Sequence, residues 1–145
     1  MNIRQAKIED KEKILNIISL LYLDIPHFVW NTDPFVTAQI QNNEYFVIED
    51  QNQIAGIMSL RKRKDKIHIE TLAVKKDFQN KGLGSQLIEF AKDFAKENNF
   101  KTLQAYSFTQ YQAEGFYKKL GFTALTYSGE YKRYPYNCFE IKLTN

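Results

Sequence analysis

The chain has 145 residues and a formal net charge of +3, with 20 Lys and Arg against 17 Asp and Glu. This length predicts a single domain over residues 1–145, and 43% hydrophobic residues exclude a disordered chain. The small net charge argues against a nucleic-acid-binding protein, and one cysteine, Cys138, excludes an internal disulfide. No apolar run approaches the roughly 18 residues that span a membrane, and charges stand where a signal peptide would be apolar. We therefore expect a cytoplasmic protein that does not contact membranes.

The N-terminal half predicts a strand, two helices and a meander of three strands. Asp10 is placed to cap the first helix, in which Ile14, Ile17 and Ile18 recur at helical spacing. Two prolines interrupt the next stretch, which we interpret as a loop, and Pro34 starts the second helix. The expected strands cover 1–7, 44–49, 54–60 and 67–74, and a charged turn, 61–66, joins the last two.

The C-terminal half predicts a long helix, a strand, a short helix and two further strands. Apolar residues from Leu83 to Ala95 form a wide stripe, which is typical of a helix packed on a core. Thr109 and Gln112 have the spacing of a capping box for the short helix, and Gly121 ends it. The strands are expected at 102–108 and twice within 122–143, around a loop rich in Tyr and Pro. This order of elements indicates a mixed α/β fold.

The segment from Ile69 to Phe90 carries the clearest chemical signal. A strand leads through a turn that contains Gly82 and Gly84 into the long helix, so the backbone amides from Asn80 to Ser85 lie at a helix N-terminus. Such amides bind phosphate, and Lys81 would add a positive charge. The pattern fits neither the Walker loop nor the Rossmann fingerprint. A tight turn with a small-residue helix cap explains the two glycines equally well, so the local pattern leaves both interpretations open.

Four motifs, which follow one another along the chain in the order expected for the family, resemble the GNAT superfamily of N-acetyltransferases. Q-N-K-G-L-G, residues 79–84, is similar to the family's Q/R-x-x-G-x-G/A signature, and L-A-V, residues 72–74, looks like the strand end beside the pantetheine arm. A-E-G-F-Y-K-K-L-G-F, residues 113–122, resembles the A-x-x-F-Y-x-K-x-G-F element. The opening I-R-Q-A-K-I-E-D is similar to the family's first strand and helix start. Two residues depart from the family pattern: Gln79 replaces the commoner Arg, and Gln110 stands where the family often has Asn.

The resemblance implies a GNAT-like fold, in which a mixed, mostly antiparallel sheet carries helices on both faces. It implies acetyl-CoA as co-substrate and direct transfer of the acetyl group, within a ternary complex, to a primary amine of a small molecule, peptide or protein. It implies no metal. The residues expected to bind acetyl-CoA are Leu72, Ala73, Val74, Gln79, Asn80, Lys81, Gly82, Leu83, Gly84, Ser85, Gln110 and Tyr117.

The resemblance also suggests groups for three catalytic roles. Tyr117 occupies the motif tyrosine that would protonate the departing CoA sulfur, although a packing tyrosine on an amphipathic helix is the alternative. The backbone N–H of Val74 would stabilise the oxyanion. Glu70 and His68 share a strand face with Val74 and are the candidate bases for the amine, although an ordinary polar strand face explains them as well.

The acceptor site and the exact activity stay open at this stage. The resemblance places the acceptor between two aromatic loops, which could equally be core or a homodimer surface: Tyr22, Phe28 and Trp30, and Tyr127, Tyr131, Tyr134 and Tyr136. The basic run Arg61–Lys64 is expected to be a solvated hairpin end. The alternative functions are transfer of a longer acyl group from acyl-CoA and a CoA-binding regulatory module without turnover.

Overall fold

The structure, a computed structural model, describes residues 2–21, 29–125 and 129–144, apart from the side chain of residue 20. Short 3₁₀ turns at Ile8–Asp10, Ser19–Leu21, Lys76–Phe78 and Thr109–Tyr111 join some of its elements. The described helices are α1 (Lys11–Ile18), α2 (Asp33–Gln41), α3 (Leu83–Glu97) and α4 (Glu114–Lys119). The described strands are β1 (Asn2–Gln5), β2 (Tyr45–Asp50), β3 (Gln53–Arg63), β4 (Lys66–Val74), β5 (Thr102–Phe108), β6 (Thr123–Ala124), β7 (Gly129–Tyr131) and β8 (Tyr134–Lys142).

The chain divides into two compact units, and β3, β4 and α3 contribute residues to both. Unit 1 comprises Met1–Leu60 and Thr71–Leu87, whereas unit 2 comprises Arg61–Glu70 and Ile88–Asn145. None of the helices in the described ranges has both the length and the apolar composition of a membrane span.

Unit 1 is built on β1, β2 and β3, which pair in that order and antiparallel. The register between β2 and β3 shifts after Ile48, which pairs with Gly56, whereas Glu49 pairs with Ile54. Ala55 is therefore the extra residue of a β-bulge, a feature that bends a strand locally. Helices α1 and α2 bury their apolar faces in one cluster with the sheet, whose members are Ala6, Ile14, Ile17, Ile18, Val36, Ile40, Tyr45, Val47, Ile54, Ile57 and Ala73.

Unit 2 is built on β5, which pairs with β8 over its whole length, from Thr102 with Lys142 to Phe108 with Tyr136. On its other side, β5 runs parallel to the first four residues of β4, Lys66–Ile69. Strands β6 and β7 both pair antiparallel with β8. The β4–β5 pair is parallel, whereas the β1–β2, β2–β3, β5–β8, β6–β8 and β7–β8 pairs are antiparallel, as the predicted mixed, mostly antiparallel sheet requires.

The prediction that Asp10 caps α1 is wrong, because its carboxylate is engaged elsewhere. Asp10 makes no capping hydrogen bond to α1. Its Oδ2 accepts hydrogen bonds from the Lys7 backbone N–H at 2.7 Å and from the Arg4 guanidinium at 2.8 Å, and Oδ1 accepts from Arg4 at 3.1 Å. A bidentate charged pair is stronger than a neutral cap, so Asp10 ties the turn before α1 to β1 instead.

Two other boundaries differ from the sequence prediction. The capping box at Thr109 and Gln112 does not form: Thr109 begins a 3₁₀ turn, Gln112 is left-handed with φ of 53°, and Ala113 precedes α4 without a side-chain cap. The C-terminal loop rich in Tyr and Pro is largely strand, because β8 begins at Tyr134 and the turn before it comprises Lys132 and Arg133. Both turn residues have positive φ, as two-residue hairpin turns demand.

We predict that Asp10→Asn lowers the free energy of unfolding by about 1–2 kcal/mol at pH 7, because charge-assisted hydrogen bonds become neutral ones. The Arg4 guanidinium holds the pKa of the Asp10 carboxyl below its usual range. The carboxylate therefore stabilises the fold above the unfolded pKa near 4, and this contribution is lost as the pH falls through the lower folded pKa.

Chemical denaturation of both proteins between pH 7 and pH 2 measures this difference. The gap should begin to narrow below about pH 4, where Asp10 of the unfolded wild type binds a proton, and should close once the folded carboxyl is neutral as well. Asp33→Asn is the matched control, since Asp33 bonds Lys11 and Thr37 at the surface and should change stability far less. A gap that stayed constant down to pH 2 would contradict the ionic role of Asp10.

Candidate functional site

The connection between β4 and α3 combines unusual backbone angles with a helix start. Asn80 has φ of 65° and Gly82 has φ of 82°, so both residues are left-handed. The N–H of Gln86 donates to the carbonyl of Gly82 at 3.0 Å, which makes Gly82 the residue that precedes the helix. The N–H groups of Leu83, Gly84 and Ser85 consequently have no partner within α3 and point off its positive end.

This helix start fits an anionic group such as a diphosphate. A Cβ built on Gly82 meets nothing within 4 Å, so the space beside it is open. Residues 79–82 are exposed, whereas Leu83 is buried and anchors the first turn. The ammonium of Lys81 lies 5.2 Å from the centre of the Phe78 ring, next to the loop. The sequence prediction of a phosphate-binding loop at Asn80–Ser85 thus has suitable donors and charge.

The last residues of β4 and the loop are linked directly. The side-chain amide of Gln79 donates from Nε2 to the carbonyl of Val74 at 3.0 Å. Leu72 and Val74 are half-buried and Ala73 is buried. The parallel pairing with β5 covers only Lys66–Ile69, so residues 72–74 lie past its end. The structure therefore brings Gln79 to Val74, a contact that the sequence did not predict.

His68 is a buried, neutral imidazole. It is 6% exposed, and its ring stacks on that of Tyr106 with centres 5.2 Å apart. Burial, followed by the positive charges of Arg63 and Lys66, lowers the pKa of His68 to about 4. Among the described residues, Nδ1 of His68 has no hydrogen-bond partner. A buried nitrogen without a partner is costly, so this atom is a candidate for contact with a ligand or water.

Glu70 lies two residues further along β4 and is paired with two arginines. Its Oε1 contacts Arg61 at 3.2 Å and its Oε2 contacts Arg63 at 3.1 Å. The expectation that Arg61–Lys64 is only a solvated hairpin end is therefore incomplete. Strand β3 continues to Arg63, and the two arginines, which alternate along it, point toward Glu70. That alternation, opposite an acidic residue on the next strand, was the available sequence signal.

Tyr117 is the buried residue of α4 and lies among aromatic rings. It is 4% exposed, and its ring stacks on Phe139 at 4.9 Å and meets Phe116 and Phe122 edge-on. Burial raises the pKa of the phenol above its usual range, so the hydroxyl is protonated at pH 7. Gln110, by contrast, is exposed in the 3₁₀ turn after β5.

The aromatic residues proposed for the acceptor are only partly described. Tyr22, Phe28 and Tyr127 lie outside the described residues. Phe108 is the centre of a group of half-buried rings, 6.3 Å from both Tyr131 and Tyr134. Trp30 packs edge-on against Phe35. Within the described ranges, no group of three or more His, Cys, Asp or Glu side chains could hold a metal ion.

Comparisons with known proteins agree with this picture. The model of the acetyltransferase (GNAT) family matches residues 14–122. A protein of Bacillus subtilis (strain 168), provisionally named a ribosomal protein bS18-alanine N-acetyltransferase, is 25% identical over 122 residues, which are 82% of this chain and 78% of that protein.

Two solved structures are similar over nearly the whole chain. Ard1 from Thermoplasma volcanium superposes with a TM-score of 0.85 at 18% identity, covering 99% of this chain and 98% of its own. The PaiA N-acetyltransferase of Thermoplasma acidophilum, solved in complex with coenzyme A, has a TM-score of 0.81 at 19% identity, covering 97% and 98%. These likenesses confirm the predicted fold.

We predict that Gly82→Asp weakens acetyl-CoA binding at least about tenfold relative to Gly82→Asn, because its carboxylate would repel a diphosphate. Asn and Asp have the same shape and both tolerate a left-handed backbone, so charge is the main difference between these variants. Calorimetric titration at low and high salt measures the difference, which should shrink as salt screens it. Equal affinities in two folded variants would remove the diphosphate from this loop.

Proposed function

Since the chain belongs to the acetyltransferase (GNAT) family, we propose that it moves the acetyl group of acetyl-CoA directly to the α-amino group at the N-terminus of a protein. The transfer would take place in a ternary complex, without an acetylated enzyme. A cytoplasmic location belongs to this proposal.

One observation supports the binding of acetyl-CoA at this place. The left-handed residues Asn80 and Gly82 precede a helix whose first N–H groups have no helical partner. Leu83, Gly84 and Ser85 would donate those N–H groups to the diphosphate, and Lys81 would add its charge. Leu72, Ala73 and Val74 would run beside the pantetheine arm. Gln110 and Tyr117 complete the proposed binding residues.

The amine must lose a proton before it attacks, and Glu70 or His68 would take it directly or through water. At pH 7 His68 is already in the neutral form that a base needs, and its Nδ1 has no partner among the described residues. A pKa of about 4 lies some four units below that of an α-ammonium group, so proton transfer to His68 is uphill. This chemistry favours a relay in which the proton passes through water to the solvent, with Glu70 polarising the first water of the relay.

The thioester carbon then becomes tetrahedral, and the backbone N–H of Val74 would donate to the developing oxyanion. The bond between that carbon and sulfur breaks, and Tyr117 would protonate the sulfur. The raised pKa of Tyr117 keeps its proton available at pH 7, which an acid requires. The arrangement of the phenol among Phe116, Phe122 and Phe139 fixes the ring without using the hydroxyl.

The acceptor is suggested by the Bacillus relative, whose provisional name is ribosomal protein bS18-alanine N-acetyltransferase. Release of free thiol from acetyl-CoA should be measured with a bS18 N-terminal peptide, with the same peptide blocked at its α-amino group, and with polyamines, free lysine and aminoglycosides. We expect turnover only with the unblocked peptide. Turnover with the blocked peptide or with a small amine would reassign the acceptor, and binding without any turnover would favour a regulatory module.

We predict that one of the variants Glu70→Gln and His68→Gln lowers kcat/KM by at least about tenfold at pH 7. The loss should shrink above the pKa of the acceptor amine, near 8 for an α-amino group, because a free amine needs no base. Profiles of kcat/KM between pH 6 and pH 10 measure this dependence. Two profiles that match the wild type would leave neither residue as the base and would mean that the amine arrives unprotonated.

We predict that Tyr117→Phe lowers kcat by about 10²-fold, the low end for a positioned acid, because thiolate is a fair leaving group by itself. The ring contacts with Phe116, Phe122 and Phe139 remain, so acetyl-CoA affinity and melting temperature should change little. Single-turnover kinetics, in which chemistry limits the rate, measure the effect. A rate close to wild type would return Tyr117 to a packing role.

A further inference from the structure

The end of β4 packs closely against Gly56 of β3, a glycine that the sequence patterns did not single out. A Cβ on Gly56 of β3 would lie 3.0 Å from Cγ2 of Ile48, 3.1 Å from the carbonyl oxygen of Ala73 and 3.3 Å from Cγ2 of Val74. Gly56 does not have positive φ, so its backbone conformation is open to other residues. Space, rather than backbone conformation, therefore explains the glycine at this position.

The orientation of Val74 follows from its neighbours. The oxygen of Ala73 lies toward Gly56, and in a trans peptide the N–H points opposite to the C=O, so the N–H of Val74 points away from β3. The next peptide group obeys the same rule. Its N–H, on Lys75, donates back to the carbonyl of Ala55 at 2.8 Å, so the carbonyl of Val74 also points away from β3. Both polar groups of Val74 thus share one edge.

Gln79 changes the chemistry of that edge. A free carbonyl beside the N–H of Val74 would repel a negatively charged oxygen, because its own oxygen carries partial negative charge. The Nε2 of Gln79 donates to this carbonyl at 3.0 Å and occupies it. The N–H of Val74 is then the polar group left to bind an acyl oxygen. On the side toward β3, the carbonyl of the bulge residue Ala55 accepts the hydrogen bond from the Lys75 N–H and so fixes the peptide group between Val74 and Lys75.

We propose that Gly56 and Gln79 are positioning residues for acyl transfer: Gly56 admits the last peptide of β4, and Gln79 occupies the carbonyl of Val74, so that the Val74 N–H faces the thioester oxygen. This inference rests on the proposed function, which gives that N–H its role. It assigns to Gln79 a contact with the protein backbone instead of the phosphate contact that its place in the motif suggests.

The test compares the amide of Val74 in ¹⁵N–¹H spectra with acetyl-CoA and with CoA, which lacks the acyl oxygen. In the wild type the Val74 signal should move further with acetyl-CoA. Gly56→Ala and Gln79→Met, a substitution of similar length without a donor, should lose most of that difference. Their kcat should fall about tenfold, and their Kd for CoA should stay within about threefold, because geometry changes more than binding.

Two control variants keep the proposal specific. Gln79→Arg retains a donor and should recover most of the Val74 signal difference and of the kcat that Gln79→Met loses. Gly115→Ala adds a Cβ that meets nothing within 4 Å and should leave the Val74 signal and kcat unchanged. If Gly56→Ala does not fold, Gln79→Met decides the outcome.

Three results would overturn the inference. The first is a Val74 signal that does not distinguish acetyl-CoA from CoA in the wild type. The second is a difference that persists in Gly56→Ala and Gln79→Met. The third is a Gln79→Met variant with weakened CoA affinity and unchanged kcat, which would make Gln79 a phosphate ligand. A wild type that shows the Val74 shift and acetylates no amine would refute the proposed function alone.

Discussion

The backbone of the connection between β4 and α3 is the constraint on which the proposed chemistry depends. Two left-handed residues, Asn80 and Gly82, turn the chain into the helix within a few residues. Such angles cost ordinary residues energy, and Asn and Gly tolerate them best. The turn leaves the first N–H groups of α3 without helical partners. It also places the side-chain amide of Gln79 where it donates to the carbonyl of Val74. One local conformation thereby supports both ends of the proposed acetyl-CoA site in unit 1.

The parts of the fold that the sequence predicted are those fixed by periodicity and by glycine. The apolar stripe that begins at Leu83 defined α3, and strand-like residue patterns defined β2, β4 and β5 to within one residue at each end. The need for glycine at position 82 is explained by its positive φ. These features are local, so the sequence around them contains the information. Family resemblance then supplied the order in which the elements assemble.

The features that the sequence missed depend on competition between distant partners. Asp10 has the right residue type for a cap, but Arg4 offers a bidentate charged pair that a neutral N–H cannot match. Glu70 was identified as a strand-face carboxylate, and its contacts with Arg61 and Arg63 required the length and register of the hairpin. The low pKa of His68 likewise results from burial against Tyr106, which local spacing does not reveal.

In the proposed site, backbone groups and side chains have different roles. The two kinds of role place different constraints on the sequence. Diphosphate binding and oxyanion stabilisation would fall to N–H groups, which every residue except proline supplies. At these places the sequence needs residues that allow the required backbone conformation. Gly56 does so by leaving space, and Gly82 does so by adopting positive φ. Backbone donors of this kind are therefore compatible with wide variation in the side chains around them. The proposed proton transfers have no such freedom, because they would use the specific groups of Glu70, His68 or Tyr117. Differences in acceptor and in pH dependence among such proteins should consequently arise from these side chains and their neighbours, and the binding of acetyl-CoA should depend on the turn.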